Sequence, residues 1–224
     1  MNILAFDTSS SDCSVALYVE DEHGGTPSQT TSVNVQALKQ HTSVILPMIQ
    51  SFLEKANLTF ADLDAIAFGC GPGSFTGIRI AASLAQGIAY ANSLPVIPVS
   101  SLAAAAQAAY LQHGWERLLV AVDARMGEIY WGVYQVENNI VLPVMSDILA
   151  TADTIPAIPP GEWCGIGDAW GAYCSELTAR IGKQLTDTAK DQGPTAEAVL
   201  CLAKERFKKG DWVDAADALP VYLR

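Results

Sequence analysis

The stretch Phe68-Gly69-Cys70-Gly71-Pro72-Gly73-Ser74-Phe75-Thr76-Gly77-Ile78-Arg79 limits what this chain can fold into more than any other. Ile66 to Phe68 read as the end of a buried strand, and Ile80 onward reads as a helix. Four glycines and one proline therefore crowd a single strand-to-helix turn. Glycine reaches backbone angles and close approaches that a Cβ forbids, so Gly71, Pro72, Gly73, Ser74 and Gly77 are expected to shape the turn. Ser74 or Thr76 can cap the helix that follows. Such a junction suits either an anion at the helix start or tight packing against another chain. It has neither the lysine of a Walker loop nor the spacing of a dinucleotide fingerprint.

Around that turn the chain reads as alternating strands and helices. Ile3 to Phe6 form an apolar run ending at Asp7-Thr8-Ser9, and Cys13 to Val19 alternate as a second strand. The tip between them is either a capped turn or a phosphate or metal–phosphate loop. Residues 20–32 suggest a loop and an exposed third strand. A first helix begins near His41, with Ile45, Met48, Ile49, Phe52, Leu53 and Ala56 close to one face. Pro47 requires a first-turn position or a kink. A second helix over 76–91 has a bulky seam of Ile80, Leu84 and Ile88 with small flanks at Ala81, Ala85, Gly87 and Ala89. Pro95 to Val99 read as a strand, and Ser100 or Ser101 can cap an alanine-rich helix through Tyr110.

Gln112-His113-Gly114 is the natural place to divide the chain, giving lobes at 1–112 and 113–224. The second half begins as the first does. Leu118 to Val122 form a buried strand ending at Asp123, followed by Ala124-Arg125-Met126-Gly127 and a strand from Glu128 to Tyr134. This echo of architecture implies a duplicated domain. Residues 137–161 read as irregular with one short helix, 162–167 as a strand and turn, and 168–180 as the start of a helix. Thr195 caps a last helix whose apolar face holds Val199, Leu200, Ala203 and Phe207, and Gly210 stops it.

Composition excludes several functions. With 13 Lys plus Arg against 24 Asp plus Glu, the formal charge is −11, which argues against unaided binding to a nucleic-acid backbone. Five cysteines with no CxxC fit neither a disulfide framework nor a zinc finger. The first residues read as a strand and not a signal peptide. Residues 80–115 carry no charged side chain, but Gln86, Asn92, Pro95, Pro98 and Gln107 interrupt them. Two buried helices around a strand fit better than a membrane span. His23, His41 and His113 form no metal-ligand spacing, and His41 reads as a cap or packing residue. Cys70 has no partner base in sequence, and Ser74 is not in a GxSxG elbow. Asp7 and Asp123 form the best pair for nucleotide chemistry, since a carboxylate at each strand end can hold hydrated magnesium beside phosphates. Thr8 and Ser9 add hydroxyls, and Arg125 either neutralises phosphate or makes a salt bridge.

Four segments together resemble the TsaB family, also called YeaZ. They are Ile3-Leu4-Ala5-Phe6-Asp7-Thr8-Ser9, His41 to Pro47, Gly69 to Arg79, and Val122 to Tyr130, joined by the ending Pro220-Val221-Tyr222-Leu223-Arg224. The resemblance implies an α/β fold of two lobes with mixed sheets, like actin, the Hsp70 ATPase and sugar kinases, with a reduced second lobe. It implies a non-catalytic relative of TsaD that lacks the metal-binding histidine pair, as His41 is followed four positions later by Ile45. The family's role is to support, with TsaD and the ATPase TsaE, transfer of threonylcarbamoyl from its adenylate to N6 of adenosine 37 in tRNAs reading codons that begin with A. ATP and a metal ion would then act in the partner subunits, with no intrinsic cofactor here. Transfer RNA would be met indirectly, in the cytoplasm. Ile45, Met48, Ile49, Phe52, Ile80, Leu84 and Ile88 are expected at or near the TsaD contact, and the isolated chain would self-associate there. An actin-like ATPase or small-molecule kinase is the alternative, and the family's old peptidase label finds no machinery here.

Overall fold

Continuous apolar runs need a layer on each face, and the first strand shows how this chain supplies them. In β1 (Asn2–Asp7) the residues Ile3 to Phe6 are fully buried. β1 pairs antiparallel with β2 (Asp12–Val19) and parallel with β4 (Ala65–Gly71). β3 (Gln29–Gln36) lies outside β2, and β5 (Val96–Ser100) lies outside β4. The sheet order is β3-β2-β1-β4-β5. The computed structural model describes residues 1–20, 28–37 and 40–223.

Helices supply the covering layers. α1 (His41–Ala56) buries Ile45, Ile49, Phe52 and Leu53. Pro47 lies beyond its first turn with no N–H to offer the Ser43 carbonyl, and both residues are exposed. α2 (Phe75–Asn92) turns Ile78, Ala81, Ala82, Ala85, Ile88 and Ala89 inward at helical spacing. Ser74 is its N-cap, accepting from the Gly77 amide at 3.3 Å.

The remaining strands form a second sheet. These are β6 (Arg117–Arg125), β7 (Glu128–Glu137), β8 (Ile140–Thr151), β9 (Trp163–Ile166) and β10 (Leu185–Ala189). Their order is β10-β9-β6-β7-β8. Taken from its other edge, this is the order of the first sheet. Each sheet has an opening strand antiparallel to its successor and parallel to a later strand. The echo in sequence is thus a duplicated topology. α3 (Ser101–His113) supplies Gln107, whose amide accepts from Val141 N at 2.9 Å and donates to Asn139 O at 3.1 Å. α4 (Ala169–Ala172) and α5 (Cys174–Ile181) cover this sheet's core. Trp131, Trp163 and Trp170 are almost wholly buried there, with the Trp170 ring against Gly165.

Two expectations change, and one strand joins that the sequence did not mark. The stretch expected to be irregular contains β8. It is an edge strand bearing Pro143, and its pairing with β7 shifts register twice, so no clean alternation marks it. β10 was unmarked because its five residues are mostly polar. A single division at 112/113 also fails. One unit comprises Met1–Ser101 with Thr195–Val221, and the other Leu102–Pro194 with the residues from Tyr222. α6 (Ala196–Lys208) therefore belongs to the first unit, where the Ala196 amide donates to Ser14 Oγ at 2.9 Å. An amphipathic helix states that it needs a sheet, not which one. The uncharged stretch 80–115 forms α2, β5 and α3, and among the described residues no helix is long and apolar enough to cross a membrane.

Candidate functional site

The glycine-rich turn is filled by the chain's own β1–β2 tip. A Cβ on Gly69 would overlap the Asp7 carboxylate, one on Gly73 the Ser9 carbonyl, and one on Gly77 the Thr8 carbonyl. Glycine at these positions lets two backbones touch. Polar groups close the contact. Ser74 N donates to Ser9 O at 2.7 Å, and Thr8 Oγ1 donates to Gly77 O at 2.7 Å. Gly71 N donates to Ser101 Oγ at 3.1 Å. The Gly71–Pro72 peptide is cis, and Gly71 has φ +104°.

Asp7 lies at the centre of this contact, 1 % exposed. Its Oδ1 accepts from both the amide and the hydroxyl of Ser9 at 2.8 Å. Burial pushes its carboxyl above the usual range. Hydrogen bonds from Ser9, the charge of His41 and a hydrogen bond from Ser101 pull the other way. Burial, then Asp7 and Asp12, raise the nearby Cys13 thiol to about 11, which leaves it an unreactive core residue. Thr8 and Ser9 are also buried. The turn packs closely against the tip of its own chain, where the sequence suggested an anion or another chain. Residues already in contact with one another do not fit a phosphate or magnesium–phosphate group.

Asp123 and Arg125 lie in the second unit. Asp123 Oδ1 accepts from Arg125 N at 2.8 Å, and Asp123 Oδ2 meets Arg125 at 3.1 Å. Arg125 thus makes the salt bridge that was one of its two options. His41 Nε2 lies 3.2 Å from the backbone oxygen of Asp12, a packing role. Among the described residues no group of three His, Cys, Asp or Glu is placed to hold a metal.

Beside the filled turn, the facing sides of α1 and α2 leave an open groove of about 570 Å³. Thr42, Ile45, Leu46, Phe75, Thr76, Arg79, Ile80, Ser83 and Leu84 line it, and the lining is mostly apolar. Phe75 is 60 % exposed with the Arg79 guanidinium 3.5 Å from its ring centre. Of the expected contact residues, Ile80 and Leu84 face the groove, Ile45 forms part of its wall, and Met48 is half-buried. Ile49, Phe52 and Ile88 are corrected to core positions. Helix α1 spends its bulky stripe on its own sheet, whereas α2 buries its small side, Ala81, Ala82, Ala85 and Ala89 together with Ile78 and Ile88, and leaves Ile80 and Leu84 facing the groove. Leu46, Phe75 and Ser83, which the sequence pattern did not single out, also line the groove, and Tyr90 is 85 % exposed on α2. The spacing Phe75, Arg79, Ser83, Gly87 follows one face of a helix. Nothing lies within 4 Å of a Cβ built on Gly87.

A family model described as TsaD, tRNA N6-adenosine threonylcarbamoyltransferase, matches residues 32–163. The tRNA threonylcarbamoyladenosine biosynthesis protein TsaB of Escherichia coli (strain K12) is 38 % identical over 236 aligned positions, covering 100 % of this chain and 95 % of that protein. The chain belongs to the TsaB family. The TsaB of Bacillus subtilis (strain 168) is 34 % identical, covering 100 % of this chain and 94 % of that one. Solved structures agree. YeaZ from Pseudomonas aeruginosa superposes with a TM-score of 0.88 at 38 % identity, over 99 % of each chain. A Pseudomonas aeruginosa protein described as similar to peptidase YEAZ gives 0.90 at 38 % identity, over 100 % and 99 %. The α/β fold with two mixed sheets is thus that of the TsaB family.

Proposed function

We propose that this chain is a non-catalytic partner and activator of a TsaD-like subunit in tRNA threonylcarbamoyladenosine synthesis. The reaction would be transfer of threonylcarbamoyl from its adenylate to N6 of adenosine 37. The observation carrying the proposal is the pairing of a filled turn with an open groove. The turn's close approaches are used up on Asp7, Thr8 and Ser9, while Leu46, Phe75, Ile80 and Leu84 line an apolar groove between α1 and α2. An apolar centre with a polar rim is the pattern of a protein-binding surface. ATP and a metal ion act in the partner subunits, the TsaD-like enzyme and a TsaE-like ATPase. Transfer RNA is reached through the complex, since the chain's charge of −11 opposes direct contact with phosphates. Alone, the chain pairs with itself through the same groove. The cytoplasm is its expected place.

Reconstitution of tRNA modification with and without this chain tests the proposal. Equal modification without it sinks the activator role. Ser83→Arg sharpens the test by placing a long cation on the groove wall. It should cut affinity for the TsaD-like subunit by about ten-fold or more, and with it the rate of modification, while leaving stability within about 0.5 kcal/mol. Magnesium-dependent ATP turnover by the chain alone, lost in Asp7→Asn and Asp123→Asn, would instead favour an ATPase.

A further inference from the structure

Four strands end the two sheets, and three of them are guarded. β5 carries Pro98, and Val213 bridges to it at Val96. β8 carries Pro143 and Asp147 and shifts register twice against β7. β10 is short, carries Asp187 and shifts register against β9. Proline, charge, irregular pairing and covering chain are the usual means of keeping a sheet edge from taking on another strand. Among the described residues β3 has none of them. Its sequence Gln29-Thr30-Thr31-Ser32-Val33-Asn34-Val35-Gln36 contains no proline and no charge. It pairs with β2 in eight unbroken steps. Among the described residues only β2 pairs with it, and every residue of it except Val33 is exposed.

The surroundings of β3 select what it would take. Ser32 and Asn34 lie on one face of the strand. Ser32 Oγ donates to Glu197 at 3.2 Å, and Asn34 Nδ2 donates to Asp12 at 2.9 Å. Two carboxylates therefore border that face, each held by a neutral side chain. Lys204, farther along α6, sits 3.6 Å from the Tyr18 ring centre. A second copy paired antiparallel along this edge would bring four carboxylates to one face, on two chains each of charge −11.

We propose that β3 is a docking edge for an extended segment of another protein that carries Lys or Arg at alternate positions. The added strand takes its affinity from main-chain hydrogen bonds to β3 and its selectivity from Glu197 and Asp12. This surface is separate from the α1–α2 groove, and the proposal does not depend on the partner assigned to that groove.

The test uses the whole chain and three short peptides at about 0.15 M salt, where loose surface attraction is screened. One alternates lysine with valine. The second has glutamate for lysine. The third repeats the first with alternate amides N-methylated, keeping its charge but blocking strand pairing. By fluorescence anisotropy the first should bind about ten-fold or more tighter than either other. Glu197→Gln should weaken it about three-fold, and adding Asp12→Asn should weaken it further. Equal binding of the N-methylated peptide, equal binding of the glutamate peptide, or no binding at all overturns the proposal. So does a dimer in sedimentation equilibrium that Thr31→Lys, at an exposed position of the edge, abolishes, since a second copy would then occupy the edge.

Discussion

The β1–β2 tip and the β6–β7 tip hold equivalent places in two sheets of one topology, yet they meet opposite fates. Each opening strand carries an aspartate, the last residue of β1 and two residues before the end of β6, whose Oδ1 accepts the amide two residues on, at 2.8 Å in both cases. In the first unit that aspartate is 1 % exposed beneath the glycine-rich turn. In the second, the Asp123 side chain is 17 % exposed, Arg125 is 83 % exposed and Met126 is 88 % exposed. What separates them is a covering partner. Gly69, Gly73 and Gly77 let the first tip be covered, and β9 is followed instead by Gly167-Asp168, whose carboxylate accepts the Asp123 amide at 2.8 Å. A shared ancestral-looking pattern therefore does not imply a shared site. The chemistry open to an aspartate depends on what is packed over it.

Substitution at a glycine separates the tips most strongly. Gly77→Ala drives a Cβ into backbone at Thr8 and should cost about 3 kcal/mol or more in urea unfolding. Gly127→Ala meets nothing within 4 Å and pays only for its φ of +81°, about 1–2 kcal/mol. Equal costs would mean that the first tip is not closed.

The aspartates come next. Asp7→Asn should destabilise by about 1–2 kcal/mol at neutral pH because a buried acceptor becomes a donor. Asp123→Asn, beside solvent, should stay within about 0.5 kcal/mol.

Acid sharpens the same contrast. Burial raises the folded-state pKa of Asp7, so the folded protein holds that proton more tightly than the unfolded chain does. The resulting stabilisation is complete below the unfolded pKa of about 3.9 and is lost as pH rises through the folded value. The stability difference between the parent and Asp7→Asn should therefore shrink as pH rises across that window. A difference that grows there would show that the carboxylate is stabilised as the anion.

Smaller again is Thr8→Val, which removes the bond to Gly77 O while keeping the shape, at about 1 kcal/mol. Met126→Ala at the open tip should change stability by less than about 0.5 kcal/mol.

Much of this was written locally. The strand before Asp7, the strand before Asp123, the Ser74 and Thr195 caps and the bounds of α1, α2 and α6 follow from periodicity and capping chemistry, which act over a few residues. The duplicated topology was visible because an apolar strand, an aspartate and a turn recur. The glycine-rich turn was recognisable as special, but not as filled, because its occupant lies about sixty residues earlier in the chain. Helical spacing gave the apolar stripes of α1 and α2 without saying that Ile49, Phe52 and Ile88 would go to the sheet and Leu46, Phe75 and Ser83 to the groove. β8 and β10 needed neighbours to make them strands, and α6 needed the first sheet to claim it. Local sequence sets which surfaces must be covered. Only the assembled fold decides what covers each one, because burial is a contest among all the apolar faces at once.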